Sequence, residues 1–256
     1  MKDFTLETYR LYLQAIRRNF DHILRFDEFL NMESGSRPDS FCIIRHDVDR
    51  KPANALKMAL MERDLEIRST YYFRTKPRVF RPEFIKTIQE LGHEIGYHYE
   101  CLSDEKGNRQ MAMINFEQNL SRLREIATVN SISMHGRPLS KYDNRDMWKF
   151  ENAREKLKND FGINGEIYLH IDYSEIAYIG DTGRNWDSAK SNKRDFVNSK
   201  INLNIKDGKA LLDLLQNNPP SKLVFQIHPE RWTDNKMEFE IQKLRDSAVN
   251  IVKSFR

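Results

Sequence analysis

Seven short apolar runs alternate with segments of helical periodicity, and this alternation limits the fold more than any other feature of the chain. The runs lie at 41–44, 69–74, 94–98, 131–135, 166–171, 176–180 and 223–228. Between them, apolar residues recur at helical spacing over 53–67, 82–91, 110–127, 143–157, 207–216 and 235–253. Pro52 suits the first turn of one of these helices, and Gly92 suits the stop of another. Strands interleaved with helices predict a parallel sheet joined by right-handed crossovers. With 256 residues, the chain fits one α/β barrel domain. The segment before the first run, residues 5–31, has Tyr9, Tyr12, Leu13, Ile16, Phe20, Ile23 and Leu24 at helical spacing. The expected organisation is therefore an N-terminal helical extension over 1–40 and a barrel over 41–256. The polar stretch 185–204 is expected to be a surface loop.

Five of the runs stop at titratable residues. Phe41-Cys42-Ile43-Ile44 leads into Arg45-His46-Asp47-Val48-Asp49, and Glu94-Ile95-Gly96-Tyr97 into His98. Ile132-Ser133-Met134 leads into His135-Gly136-Arg137-Pro138. The run to Gly180 ends at Asp181, and the run to Ile227 ends at His228-Pro229. Barrel enzymes place their chemistry at the carboxyl ends of parallel strands, drawn from several strands at once. Five such endings in series point to an enzyme.

The bulk composition removes other classes. Basic and acidic residues number 42 and 38, and the basic ones are scattered, which argues against a nucleic-acid binder. No stretch reaches the roughly 18–20 apolar residues of a membrane span. The start, Met1-Lys2-Asp3-Phe4-Thr5, lacks the form of a secretory signal, and two cysteines are too few for a disulfide framework. A cytoplasmic protein is expected, with Cys42 in the core. Nothing in the sequence sets an oligomeric state.

Within an extended segment, residues two apart share a face, so Asp47 and Asp49 should point together into the pocket. Two adjacent carboxylates repel unless a cation or proton intervenes. A metal on one would leave the other free to accept a proton from water. His93 and His98 are five apart and should face opposite sides of the sheet; His98, at the strand's end, is the better ligand. Glu100, two beyond His98, is expected beside the site. Trp186 and Trp232 could be core residues or could wall a pocket with their rings.

This order of motifs resembles the polysaccharide deacetylase (NodB-homology) superfamily. Asp-x-Asp at 47–49, Gly-His-Glu-Ile-Gly-x-His at 92–98, Arg-Pro at 137–138, Asp-Thr-x-x-x-Trp at 181–186 and an apolar run into His228 carry the resemblance, over about residues 41–232. It implies a distorted (β/α)7 barrel that removes N- or O-acetyl groups from sugars with a divalent metal, usually zinc. It implies Asp47 as catalytic base, Asp49 and His98 as metal ligands, and Arg137 as the arginine tethering the base. Asp181 would be the acid near that arginine, His228 the general acid, and Trp186 a pocket wall. Tyr97, Trp186 and Trp232 are the expected substrate contacts, the tryptophan rings suiting the apolar faces of sugars. The second metal histidine of the pattern falls at Leu102, which cannot ligate. His135 is the first substitute, with Glu100, His46 and Asp181 after it.

The expected function is thus metal-dependent removal of an acetyl or similar acyl group from an amino-sugar-containing molecule, such as a surface-glycan precursor. Two alternatives stay open: a catalytically degenerate, carbohydrate-binding barrel, and hydrolysis of a non-peptide C–N bond in a small metabolite.

Overall fold

The computed structural model describes residues 1–137, 139–186 and 194–254. Among these, eight strands form one sheet in which every paired neighbour is parallel. They are β1 (Ile23–Leu24), β2 (Phe41–Val48), β3 (Thr70–Phe73), β4 (Glu94–Tyr99), β5 (Val129–Met134), β6 (Gly165–Glu166), β7 (Ala177–Gly180) and β8 (Lys222–Ile227). Seven run in the order β6-β5-β4-β3-β2-β8-β7, with β1 paired to the start of β2. The helices are α1 (Leu6–Asn19), α2 (Phe26–Asn31), α3 (Pro52–Asp64), α4 (Pro82–Glu90), α5 (Cys101–Asp104), α6 (Arg109–Arg124), α7 (Ala153–Phe161), α8 (Gly208–Asn217) and α9 (Lys236–Ser254). This is the α/β barrel architecture the alternation predicts, with the distortion that the resemblance implies.

The distortion sits between β6 and β7, which are consecutive in the chain but do not pair. Tyrosines bridge the seam instead: the Tyr168 and Tyr178 hydroxyls lie 3.4 Å apart, and Tyr173 donates to the carbonyl of Ile167. The strand expected over 166–171 shortens to two residues for a local reason. The Glu166 carboxylate accepts from the backbone N–H groups of Tyr168 and Leu169, which turns the chain where a ladder would continue.

Two other expectations are corrected. Residues 5–31 are not one helix, because α1 ends at Asn19, whose side chain donates to the carbonyls of Ala15 and Leu215. The chain then extends, pairs as β1 and re-enters a helix as α2. The helix expected over 143–157 is a short 3-10 turn at Asn144–Trp148 followed by α7, which Asn152 begins from a left-handed backbone.

Strand β2 is buried at all eight positions, as strands covered on both faces are. Its even residues Cys42 and Ile44 join the cluster of α1, where Tyr9, Tyr12, Leu13 and Ile16 are fully buried. Each large side chain so covered contributes roughly 1.5–3 kcal/mol relative to exposure. Its odd residues face the barrel interior. One glycine of the Gly-His-Glu-Ile-Gly run has a steric role there: a Cβ on Gly96 would lie 2.3 Å from the Tyr72 ring.

Candidate active site

The alternation along β2 builds the site. Arg45, Asp47 and Asp49 turn inward, while His46 turns out and bonds Glu62 of α3 at 2.6 Å and Tyr9 of α1 at 3.3 Å. Asp49 Oδ1 lies 3.4 Å from His98 Nε2, near the end of β4, and 3.4 Å from His135 Nε2, just past β5. Ligand atoms of these three residues lie within 4.8 Å of one another.

Both imidazoles are oriented from behind. His98 Nδ1 is 3.0 Å from the carbonyl of Ser133, and His135 Nδ1 is 3.0 Å from Glu100 Oε2. Carbonyl and carboxylate oxygens only accept, so each Nδ1 carries the proton and each Nε2 is the atom offered to a cation. Asp49 Oδ1 is buried between them and receives no hydrogen bond. Burial opposes its charge, but His135 and His98 hold the Asp49 carboxyl well below its ordinary range. Burial also opposes a charged His135, yet Asp49 and Glu100 outweigh it and raise His135 to about 9. A cation held there would take the place of the proton on Nε2. Two nitrogens and an orphaned carboxylate oxygen fit zinc, whose catalytic sites take three such protein ligands and keep a fourth position open.

Arg74 anchors this arrangement. Its Nε and Nη2 donate to Glu100 Oε1 at 2.9 and 2.6 Å, and its Nη1 donates to the Asp49 carbonyl at 3.1 Å. Although buried, Glu100 is kept ionised by His135, Arg74 and Lys76. Leu102 lies in α5 and packs into the core, so His135 stands where a third ligand is needed. Glu100, His46 and Asp181, the other candidate substitutes, engage other partners.

Asp47 is buried and asymmetric. Its Oδ2 accepts from Arg45 Nη2 at 2.5 Å and Gln226 Nε2 at 2.8 Å, while Oδ1 receives no hydrogen bond. Burial would raise its pKa, but Arg45, then His98 and His228, lower it, so the carboxylate form prevails. The arginine on Asp47 is therefore Arg45. Arg137, expected in that role, sits on the pocket lip with its side chain 41% exposed and pairs with Asp104 at 2.5 Å. Its backbone takes φ +36°. Pro138 of the same motif lies outside the described residues.

Asp181, at the end of β7, collects four donors. They are His228 Nδ1 at 2.6 Å, the His228 backbone N–H at 2.9 Å, Arg231 Nη1 at 2.9 Å and Trp232 Nε1 at 2.8 Å. The arginine beside Asp181 is thus Arg231, not Arg137. Burial opposes the Asp181 charge, but Arg231 and His228 hold it down at about 2. Burial and Arg231 oppose a charged His228, yet Asp181 prevails and lifts it above the ordinary histidine value.

The three expected substrate contacts turn away from the pocket. The alternation that directs His98 inward directs Tyr97 outward, where it packs on Phe116 of α6 and its hydroxyl meets Cys101 Sγ. Trp186 stacks on Phe4 with centroids 5.3 Å apart, and Trp232 is fully buried among Tyr9, Tyr12 and Phe4. Both belong to the cluster outside the barrel. Asp47, Asp49, His98, His135 and His228 line one pocket of about 570 Å³, the size of a small-molecule site.

Among solved structures, the chain is similar to a pseudoenzyme, a deacetylase domain and a carbohydrate esterase. A CE4 family pseudoenzyme from Bacillus anthracis aligns over 82% of this chain and 60% of its own, at 12% identity and a TM-score of 0.43. The catalytic domain of a peptidoglycan N-acetylglucosamine deacetylase from Eubacterium rectale aligns over 84% and 90%, at 12% identity and a TM-score of 0.44. A family 4 carbohydrate esterase from Streptomyces lividans, in complex with acetate, aligns over 82% and 88%, at 11% identity and a TM-score of 0.41. The chain spans about three fifths of the length of the pseudoenzyme. No family model and no curated protein matches it.

Sequence reasoning passed over Arg45, Arg74 and Arg231. Arg45 precedes Asp47 by two and so shares its face. Arg74 follows β3 directly, as the named residues follow their strands.

Proposed function

We propose that the protein is a metal-dependent hydrolase that removes an acetyl or similar acyl group from an amino-sugar-containing molecule. The convergence of Asp49, His98 and His135, with Asp47 and His228 lining the same pocket, carries this reading. A divalent cation, zinc by the donor set, would be held by those three residues and would supply Lewis acidity to the acyl carbonyl and to the attacking water. Asp47 accepts the water's proton on Oδ1, the oxygen that Arg45 and Gln226 leave free. His228, with Nδ1 committed to Asp181, presents Nε2 and delivers a proton to the leaving amine or alkoxide. The fixed Asp181 also favours the charged imidazole that this donation requires. The substrate class that suits the reading is an acetylated sugar or glycan precursor. A binding barrel that grips sugar through Trp186 and Trp232 has less support, because both rings are inside the core.

Two variants test the chemistry. Asp47→Asn and His228→Ala, assayed on acetylated amino sugars with bound zinc verified, should each lose at least about 100-fold in kcat while keeping the wild-type circular dichroism. Wild-type activity in either would remove the assigned role.

A further inference from the structure

The last helix has two faces. On one, Phe239, Gln242 and Asp246 are buried against the body. Arg184 bonds Asp246 at 3.1 Å, and Asn250 donates to the carbonyl of Gly183 at 2.9 Å. This side fixes the helix in place. On the opposite side, Met237 is 74%, Ile241 57% and Leu244 71% exposed, and Ala248 continues the line.

Steps of four, three and four give this stripe the spacing of a coiled-coil seam. Its flanks carry charges of both signs, with Glu238 and Arg245 along one edge and Glu240 on the other. From these observations we infer that the protein forms a dimer by packing the outer stripe of α9, antiparallel, against the same stripe of a second copy.

The pattern is self-complementary about a two-fold axis between Ile241 and Leu244, as an isologous contact requires. Ile241 then meets Leu244 of the second copy, and Met237 meets its Ala248. Glu238 falls opposite Arg245 of the second copy. Each of these pairs occurs twice. The Glu238 side chain is 42% exposed and uses only Oε2 within its own chain, towards Thr233 and Lys51. A helix that lies on an anionic lipid surface instead carries a basic polar face. Glu238 and Glu240 beside the stripe favour a protein partner.

Sedimentation equilibrium of the full chain over roughly 1–100 μM, the range suited to a small interface, tests this. The expected result is a concentration-dependent rise from one chain to two. Leu244→Glu, at an exposed position, should leave circular dichroism unchanged and weaken association at least about ten-fold. Glu238→Arg and Arg245→Glu should each weaken it, and the double variant should restore it. Three results would overturn the inference: a single chain throughout the range, a dimer indifferent to Leu244→Glu, or a double variant as weak as the singles. Binding to phosphatidylglycerol vesicles that Leu244→Glu abolishes, without dimers in solution, would assign the stripe to a lipid surface instead.

Discussion

The two oxygens of Asp47 are treated differently by their surroundings, and the mechanism depends on that difference. Arg45 and Gln226 saturate Oδ2 from inside the barrel, leaving Oδ1 as the basic atom. Arg45 is itself fully buried, with its guanidinium 4.5 Å from the centroid of Tyr168. Replacing it with Met would leave Asp47 as a buried charge without its main partner and free to shift. The expected outcome is a loss of roughly 100-fold in kcat/KM, the scale of a catalytic group displaced by about an ångström, with partial recovery in Arg45→Lys. Arg137→Ala, on the lip, should stay within a few-fold of wild type in kcat. Steady-state kinetics on one acetylated sugar compare all three, and the reverse ranking would restore Arg137 as the tether.

At the scale of the element, β2 connects the site to the scaffold by alternation. While its odd residues form the site, His46 feeds a buried network behind it. Glu62 accepts from His46 at 2.6 Å, Ser69 at 2.5 Å, Tyr71 at 2.8 Å and also Tyr9. Despite burial, His46 foremost, then His93 and Ser69, hold the Glu62 carboxyl at about 2. A carboxyl depressed on folding stabilises the native state above its unfolded pKa, and that stability is lost as pH falls through the folded value. Denaturant melts should therefore show stability draining between about pH 4.3 and pH 2. Glu62→Gln should cost roughly 3–5 kcal/mol at neutral pH, as a buried pair broken on one side does, and should flatten that acid limb. An unchanged acid limb in the variant would place the titration elsewhere.

The same alternation explains what could be read beforehand. Parallel strands end on one face, so an apolar run that stops at a titratable residue places Asp47, Asp49, His98, His135 and His228 together without coordinates. Arg45 was readable by the same rule. Tyr97 was misplaced for the opposite reason: an odd step from His98 puts it on the other face. Trp186 and Trp232 depend on packing with Phe4, Tyr9 and Tyr12, residues about 180–230 positions away, and no local pattern records that. The turn after β6 depends on one carboxylate, Glu166, capturing two backbone N–H groups.

Across the whole molecule, the candidate ligands come from the ends of β2, β4 and β5, so a cation would tie together strands distant in sequence. Binding to the folded state alone adds about 4 kcal/mol when free metal exceeds Kd a thousandfold. At about 2–4 °C per kcal/mol for a chain near this size, zinc should raise Tm by about 10 °C. Chelator should reverse the shift, and Asp49→Ala should abolish it. Among the described residues, no helix is long and apolar enough to cross a membrane.

We propose that His135 supplies the metal ligand that Leu102 cannot. Calorimetric titration of zinc into metal-free wild type and His135→Ala tests it directly. One zinc per chain in the wild type, with binding lost or weakened at least about 100-fold in the variant, is the expected result. Equal affinity in both proteins, or no zinc bound by the wild type, would contradict it.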